Sequence, residues 1–350
     1  MIRQLWLPPR GVGRPAAGVL VAAALLLPCW TDPYTTATAS RILALGLLSA
    51  SVTLITGHAG LPTLGQTAPF AVGGYTAAVL AHHGHTLGPA QIAAAATAAT
   101  GFAAVSGLLL VHTRGSIHLM ISIGVGQLTL TAADHWTAVT GGSDGLPFLP
   151  GTRPLPGLPA LDSDRAVYLY TAAVALAALT IIGWVLRRPG AMLLRGVRDN
   201  EARMAASGHP TGRYLYTAHL AAGALAGVGG ALLVTAQHTI TPGDGDFTTA
   251  SLALLACTLG GRTRLTGAVT GTAVILTVRD VIGGPFAGHA PLLLGALYIT
   301  CVYNLHWAQP RRRVTTNHPA AADPTVANTS SDPGPAHDAA VPCLRAGTSP

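Results

Sequence analysis

Residues 89–112, PAQIAAAATAATGFAAVSGLLLVH, and residues 115–133, GSIHLMISIGVGQLTLTAA, decide the fold. Between Pro89 and Ala133 the only charged residue is Arg114, in the short junction separating the two runs. A helix crossing a bilayer needs about 20 mostly apolar residues. A surface helix of a soluble protein would instead carry a polar face. The two runs therefore read as antiparallel membrane spans joined by a tight turn.

Outward from this pair, the whole chain has the same character. Charged residues make up 9% and hydrophobic ones 50%, with 42 glycines and a mean hydropathy of +0.47. Soluble domains are about 25% charged, and 350 residues folded in water would need that polar surface. Further apolar runs at 16–30, 40–57, 67–82, 166–187, 213–237, 250–261, 267–283 and 290–308 bring the expected spans to ten. The runs 67–82 and 250–261 are short, and 250–261 reads equally as a re-entrant half-helix. The fold class expected is an all-α polytopic membrane protein of about ten transmembrane helices. Five spans per half would make the halves two inverted five-helix repeats, because an odd count reverses the topology of the second half.

All 20 basic residues are arginine. Without lysine there is no phosphate-binding P-loop, so any ATP hydrolysis must come from another chain. With the N-terminus inside, the cytoplasmic segments hold Arg3, Arg10, Arg14, Arg114, Arg187, Arg188, Arg195, Arg198, Arg203, Arg213, Arg262, Arg264 and Arg311 to Arg313. The external loops hold Arg153 and Arg165. Fifteen against two is strong positive-inside sorting, with both termini cytoplasmic. The net charge of +7 is accounted for by these loops and is no nucleic-acid signal. Residues 1–15 read as a cytoplasmic N-terminus, 16–308 as the transmembrane domain, and 309–350 as a disordered cytoplasmic tail. The first 30 residues read as a retained span rather than a secretory signal, since Ala37-Thr38-Ala39 lies about ten residues too far beyond the apolar run.

Cys29, Cys257, Cys301 and Cys343 lie far apart without metal-ligand spacing. His82, His83 and His85 crowd one short loop and lack the geometry of a closed site. No metal, cofactor or enzymatic constellation is expected. Charges within spans are limited to Arg41, Arg279 and Asp280, each near a span end, so there is no buried acidic relay of the kind ion-coupled carriers use.

The stretch Gly57-His58-Ala59-Gly60-Leu61-Pro62-Thr63-Leu64-Gly65-Gln66 runs into Ala71-Val72-Gly73-Gly74-Tyr75. Glycine and proline at membrane depth break a helix, and such backbone persists where protein or a water-filled cavity satisfies it. The stretch is either a discontinuous helix lining a polar pathway, with Gly57, Gly60, Gly65, Gln66, Gly74 and Tyr75 along it, or a tight loop between spans.

These residues resemble the glycine-rich segment of the branched-chain amino acid ABC permease family. Thr140-Gly141-Gly142-Ser143-Asp144-Gly145-Leu146 is similar to that family's "TGGSDGL" external loop. Arg195-Gly196-Val197-Arg198-Asp199-Asn200-Glu201-Ala202, ending at Gly208, resembles its "RAIRDNExA…LG" cytoplasmic segment. Gly260, Gly261, Gly267 and Gly271 resemble a second glycine-rich element. Gln127 stands where the family usually carries an acid, and His58 and Gln66 reverse a usual Gln–His order; both bear on which solute is carried.

The resemblance implies the channel subunit of a binding-protein-dependent importer in the cell inner membrane. It carries branched-chain amino acids or similar small polar solutes, with urea or short-amide transport as the alternative and an ion-coupled carrier as a more distant one. Implied partners are ABC ATPase subunits, a second permease subunit, an extracytoplasmic solute-binding protein and the lipid bilayer. Within the segment 188–212, residues 191–207 are expected to form one amphipathic coupling helix with Leu193, Val197 and Met204 on its inner face. Arg195 and Arg198 would contact the ATPase, oriented by Asp199 and Glu201 beside Asn200, and Gly208 would end the helix.

Overall fold

The twenty-one residues from Pro33 to Thr53, rich in Ala, Leu, Ser and Thr, carry no acid and a single arginine, and they form the first helix described here, α1 (Pro33–Thr53). Its serines and threonines do not break it, because their hydroxyls bond back one turn: Ser40 to Thr36 O, Ser49 to Leu45 O and Thr53 to Ser49 O. The computed structural model describes residues 33–147, 149–157, 159–161, 163–261 and 263–283, with 295, 296 and 299. The expected first span, 16–30, and the N-terminal and C-terminal tails lie outside these residues, as does the expected last span apart from three positions.

The described elements are helical. After α1 come α2 (Thr67–His82), α3 (Gly88–Leu110), α4 (Gly115–His135) and α5 (Asp164–Val185). Then follow α6 (Pro189–Asp199), α7 (Glu201–Ala206), α8 (Thr211–Gln237), α9 (Phe247–Leu259) and α10 (Leu265–Gly283). Five helices are long and apolar enough to cross a membrane: α1 with its π-helical extension to Ala59, α3, α4, α5 and α8. At 16 and 13 residues, α2 and α9 rise about 24 and 20 Å, short of the ~30 Å hydrocarbon core.

Burial separates inner helices from outer ones. In the most apolar window, 83% of α1 and 78% of α8 are buried, against 28% for α3, α4 and α5. α8 is the hub, packed on α1, α2, α3, α5 and α6. It fills that role because its faces are glycine. A Cβ at Gly223 or Gly227 would meet Ala103 or Ala99 of α3, one at Gly230 would meet the Phe70 carbonyl of α2, and one at Gly229 would meet the Ala44 carbonyl of α1 at 3.0 Å. Small residues thus let backbones touch, the packing that lipid-embedded helices favour.

The segment 188–212 departs from expectation. Asn200 is extended (φ −161°, ψ 97°) and splits residues 191–207 into α6 and α7. The cause is local, since the Asn200 side chain caps α7 by accepting from Arg203 N at 2.9 Å. The buried stripe of α6 is Ala191, Leu194 and Val197 rather than Leu193, Val197 and Met204. Gly208 (φ +79°) ends α7, and its N–H donates to Ala205 O at 2.9 Å. Arg188 stacks over Trp184 at 3.9 Å where α5 turns into α6.

Asp144 and Asn200 are both exposed. In a background without the four natural cysteines, Asp144→Cys is expected to react with an impermeant thiol reagent from outside only. Asn200→Cys should react from inside only. Labelling of both from one side would contradict the arginine-derived topology.

Candidate functional site

The site begins where α1 loses α-helical geometry. Residues Leu54–Ala59 form a π-helical turn, wholly buried, and Gly60 (φ +79°) ends it in a conformation that favours glycine. The chain then runs without regular structure to Gly65 and Gln66, where α2 starts. Gly65 is pressed on α4: a Cβ there would lie 2.6 Å from Ser122 O, and Ser122 Oγ accepts from Leu64 N at 3.2 Å. Ser122 is seven residues into α4, about 10 Å along it. α2 therefore starts part-way along α4, not at its end.

Another chain segment arrives at the same depth. Gly245 sits so that a Cβ would lie 3.7 Å from Thr67 O, 3.4 Å from Ala71 Cβ and 2.9 Å from Leu130 Cδ2. α9 starts two residues later. The turn before it is built by Thr241, whose N–H and hydroxyl donate to Asp244 Oδ2 at 2.9 and 3.1 Å. The starts of two short helices, α2 and α9, thus meet beside the middle of α4.

Along this break, polar groups are buried without hydrogen-bond partners among the described residues: Thr56 Oγ1, His58 Nδ1, Gln66 Oε1 and the Tyr75 hydroxyl. Leaving such a group unsatisfied costs roughly 1–3 kcal/mol. Gly74 of the same helix packs against Ile240 and Gly230. Its role here is packing.

The loop 140–146 is a backbone lock. Gly141, Gly142 and Gly145 all have φ near +70° (77°, 71° and 70°), and a Cβ at Gly145 would strike Ile240 O. The Thr140 hydroxyl donates to Ala133 O at 2.6 Å, and Leu146 pairs with Ile240 (N to O 2.9 Å). Asp144 points to solvent from the 3₁₀ turn Gly142–Asp144. The loop ties the end of α4 to the 238–246 segment.

Around the segment 188–212 the charges are distributed differently from the sequence expectation. Glu201 does not orient Arg195 or Arg198. It forms a two-point pair with Arg114, Nε to Oε2 2.7 Å and Nη2 to Oε1 2.6 Å, across 87 residues. The guanidinium beside it holds the Glu201 carboxyl below the usual glutamate range. Arg198 turns inward: Nη1 donates to Gly57 O at 2.5 Å, and its Cγ lies 2.8 Å from where a Cβ of Gly60 would stand. Arg195, Asp199, Asn200 and Arg203 remain exposed. Gly260, Gly261, Gly267 and Gly271 do not interrupt a helix. They close the α9–α10 hairpin, with Gly260 against the Gly267 backbone and Gly271 against Ala256.

Residues 34–302 match the family described as "Branched-chain amino acid transport system / permease component". The chain belongs to this permease family. It is similar to the high-affinity branched-chain amino acid transport system permease proteins LivM of Salmonella typhimurium strain LT2 and Escherichia coli strain K12. Identity to each is 26%, covering 72% of this chain and 64% of theirs. The chain thus spans about two thirds or slightly less of the length of these curated relatives. No solved structure matches it.

For a member of this permease family, sequence reasoning missed Arg114 as the partner of Glu201 and the 238–246 segment as a wall of the break. Arg114 was visible only as a topology charge, because no local signal links residues 87 positions apart. Asp244 could have been found, since Thr241 followed three residues later by an acid is a capping signature.

Proposed function

We propose that this chain is the membrane-spanning subunit of an ABC importer for branched-chain amino acids or similar small polar solutes, in the cell inner membrane. The solute would cross along the break between Gly57 and Tyr75. The observation that carries the reading is the row of buried, unpartnered polar groups from Thr56 to Tyr75 beside the starts of α2 and α9. A passing polar solute with its water can satisfy groups that the protein leaves unpaired. Family membership supports the ATP-driven class, and the lack of a P-loop lysine in this sequence favours a nucleotide site on separate ATPase subunits.

The two-helix segment α6–α7 is the surface for that ATPase. Its apolar stripe packs on Leu54, Ile55, Ala59 and Leu215, so the segment sits rigidly on the break, and its opposite face offers Arg195, Asp199 and Arg203. Motion of the ATPase would pass through Arg198 to Gly57 and through Glu201 to Arg114, rocking the bundle between its two access states. A solute-binding protein and a second permease subunit complete the assembly.

Arg195→Glu with Asp199→Arg tests this reading, because both side chains are exposed and the fold should tolerate the change within about 0.5 kcal/mol. Opposed charges across an interface cost several kcal/mol. The variant should insert normally, fail to co-purify with the ATPase and lose vanadate-sensitive uptake. Vanadate-insensitive uptake into vesicles holding the wild-type chain alone would sink the importer reading.

A further inference from the structure

Two arginines are brought to one cleft, Arg41 partly buried and Arg279 exposed. Arg41 of α1 and Arg279 of α10 line one cleft, with Ser49, Thr249 and Thr272 contributing hydroxyls to it. Neither guanidinium forms an ion pair, and among the described residues the Arg114–Glu201 pair is the only one. Arg41 Nε is buried and has no hydrogen-bond partner. The nearby carboxylate of Asp246 is used in capping α9, accepting from Phe247 N at 2.6 Å and from Thr248 Oγ1 at 3.3 Å.

Register puts the two cations at one level. Thr272 Oγ1 donates to Ser49 Oγ at 2.8 Å where α10 crosses α1. Arg41 lies eight residues from Ser49, and Arg279 lies seven from Thr272, about 12 and 10 Å along their helices. In the α9–α10 hairpin Gly260 faces Gly267 and Ala256 faces Gly271. Extending that register brings Thr249, in the first turn of α9, level with Arg279. Both arginines thus converge on the start of α9, where free amide N–H groups and the helix dipole also favour negative charge. Below them the cleft is aliphatic, with Leu45, Leu252 and Leu276.

Arg41 Nε is buried, and a guanidinium within a membrane span is costly unless something compensates it. No carboxylate of the described chain does so here. We propose that the Arg41–Arg279 cleft is a binding site for an oxyanion head carried on an aliphatic body. Planar guanidinium groups suit carboxylate and phosphate oxygens alike. The ligand is supplied either as the head group of an anionic phospholipid or as a small branched carboxylate. The site needs no ATPase and stands or falls separately from the importer reading.

The purified full-length chain tests it in two arms. In the first, nanodiscs of phosphatidylcholine with about a fifth phosphatidylglycerol are dissolved, and the phosphatidylglycerol retained by the protein is counted by mass spectrometry. In the second, isovalerate is titrated into the delipidated chain in neutral detergent, with isopentyl alcohol as the uncharged control. Wild-type protein should hold phosphatidylglycerol, isovalerate or both, and the arm that responds identifies the source. The double variant Arg41→Gln/Arg279→Gln should weaken that binding at least about tenfold, the scale of one lost charge-assisted contact. Arg41→Lys/Arg279→Lys, which keeps the charge, should retain most of it, separating ligand binding from general misfolding. If neither probe binds wild type better than the glutamine variant, the arginines merely reach toward the interface and the proposal is overturned.

Discussion

Gly230→Ala is expected to remove the folded protein from the membrane fraction, because its methyl falls in the contact between α8 and α2. The added carbon would run into the Phe70 carbonyl oxygen and come within 2.7 Å of Gly74 N. Both neighbours are backbone, so no side chain can swing away, and α8 must separate from α2. Overpacking ordinarily costs about 1–3 kcal/mol, and a backbone-to-backbone collision belongs at the top of that range or above it. Because α8 also touches α1, α3 and α5, the displacement would spread through the hub. Gly183→Ala in α5 is the control, with nothing within 4 Å of the new carbon. There the change should be neutral or stabilise by up to about 1 kcal/mol, since alanine is the better helix former. Thermal unfolding in detergent reads both. Equal melting temperatures for the two variants would mean that α2 and α8 do not touch through their backbones.

The second large effect is expected at Arg114 and Glu201. Reversing either charge alone sets two like charges where a two-point pair stood, in the joint between the α3–α4 turn and α7. Each of Arg114→Glu and Glu201→Arg should abolish uptake while the bundle still inserts. The double reversal should restore a large part of it, which no pair of independent surface sites would do. The pair itself is about a third exposed on each side (38% and 36%), so its direct contribution to stability is modest, on the order of 1 kcal/mol or less. The expected loss is one of transmission.

The sign with pH follows from the same contact. Arg114 lowers the Glu201 carboxyl in the folded chain. The contribution is therefore fully present above the ordinary glutamate range and disappears as pH falls through the lowered value. Glu201→Gln should flatten the acid limb of the uptake profile. An unchanged acid limb in that variant would place the titrating group elsewhere.

The sequence by itself determined the environment of this protein, most of its helices and its family. Low charge over long apolar runs admits only a bilayer, and the helices at 33–59, 88–110, 115–135, 164–185 and 211–237 follow from it. Glycines at 57–65 announced a discontinuity because their backbone freedom is a local property, legible without neighbours. The Gly141, Gly142 and Gly145 turn was legible for the same reason.

Only the tertiary structure decided what those features touch. It split the expected coupling helix at Asn200, where a side-chain cap competes with continued helix. It turned Arg198 inward to Gly57 and gave Glu201 to Arg114, although the sequence offers nearer partners for both. It set the 238–246 segment against the break and left Gly260 to Gly271 as a hairpin closure. It also brought Arg41 and Arg279, 238 residues apart in the chain, to one cleft. The physical reason is common to all of these. Apolar periodicity and glycine conformation act within a few residues and are written locally, whereas the partner of a charge is set by which helices pack together. In a bundle whose helices are nearly uniform in Ala, Gly and Leu, that choice is made by close backbone contacts that no single segment encodes.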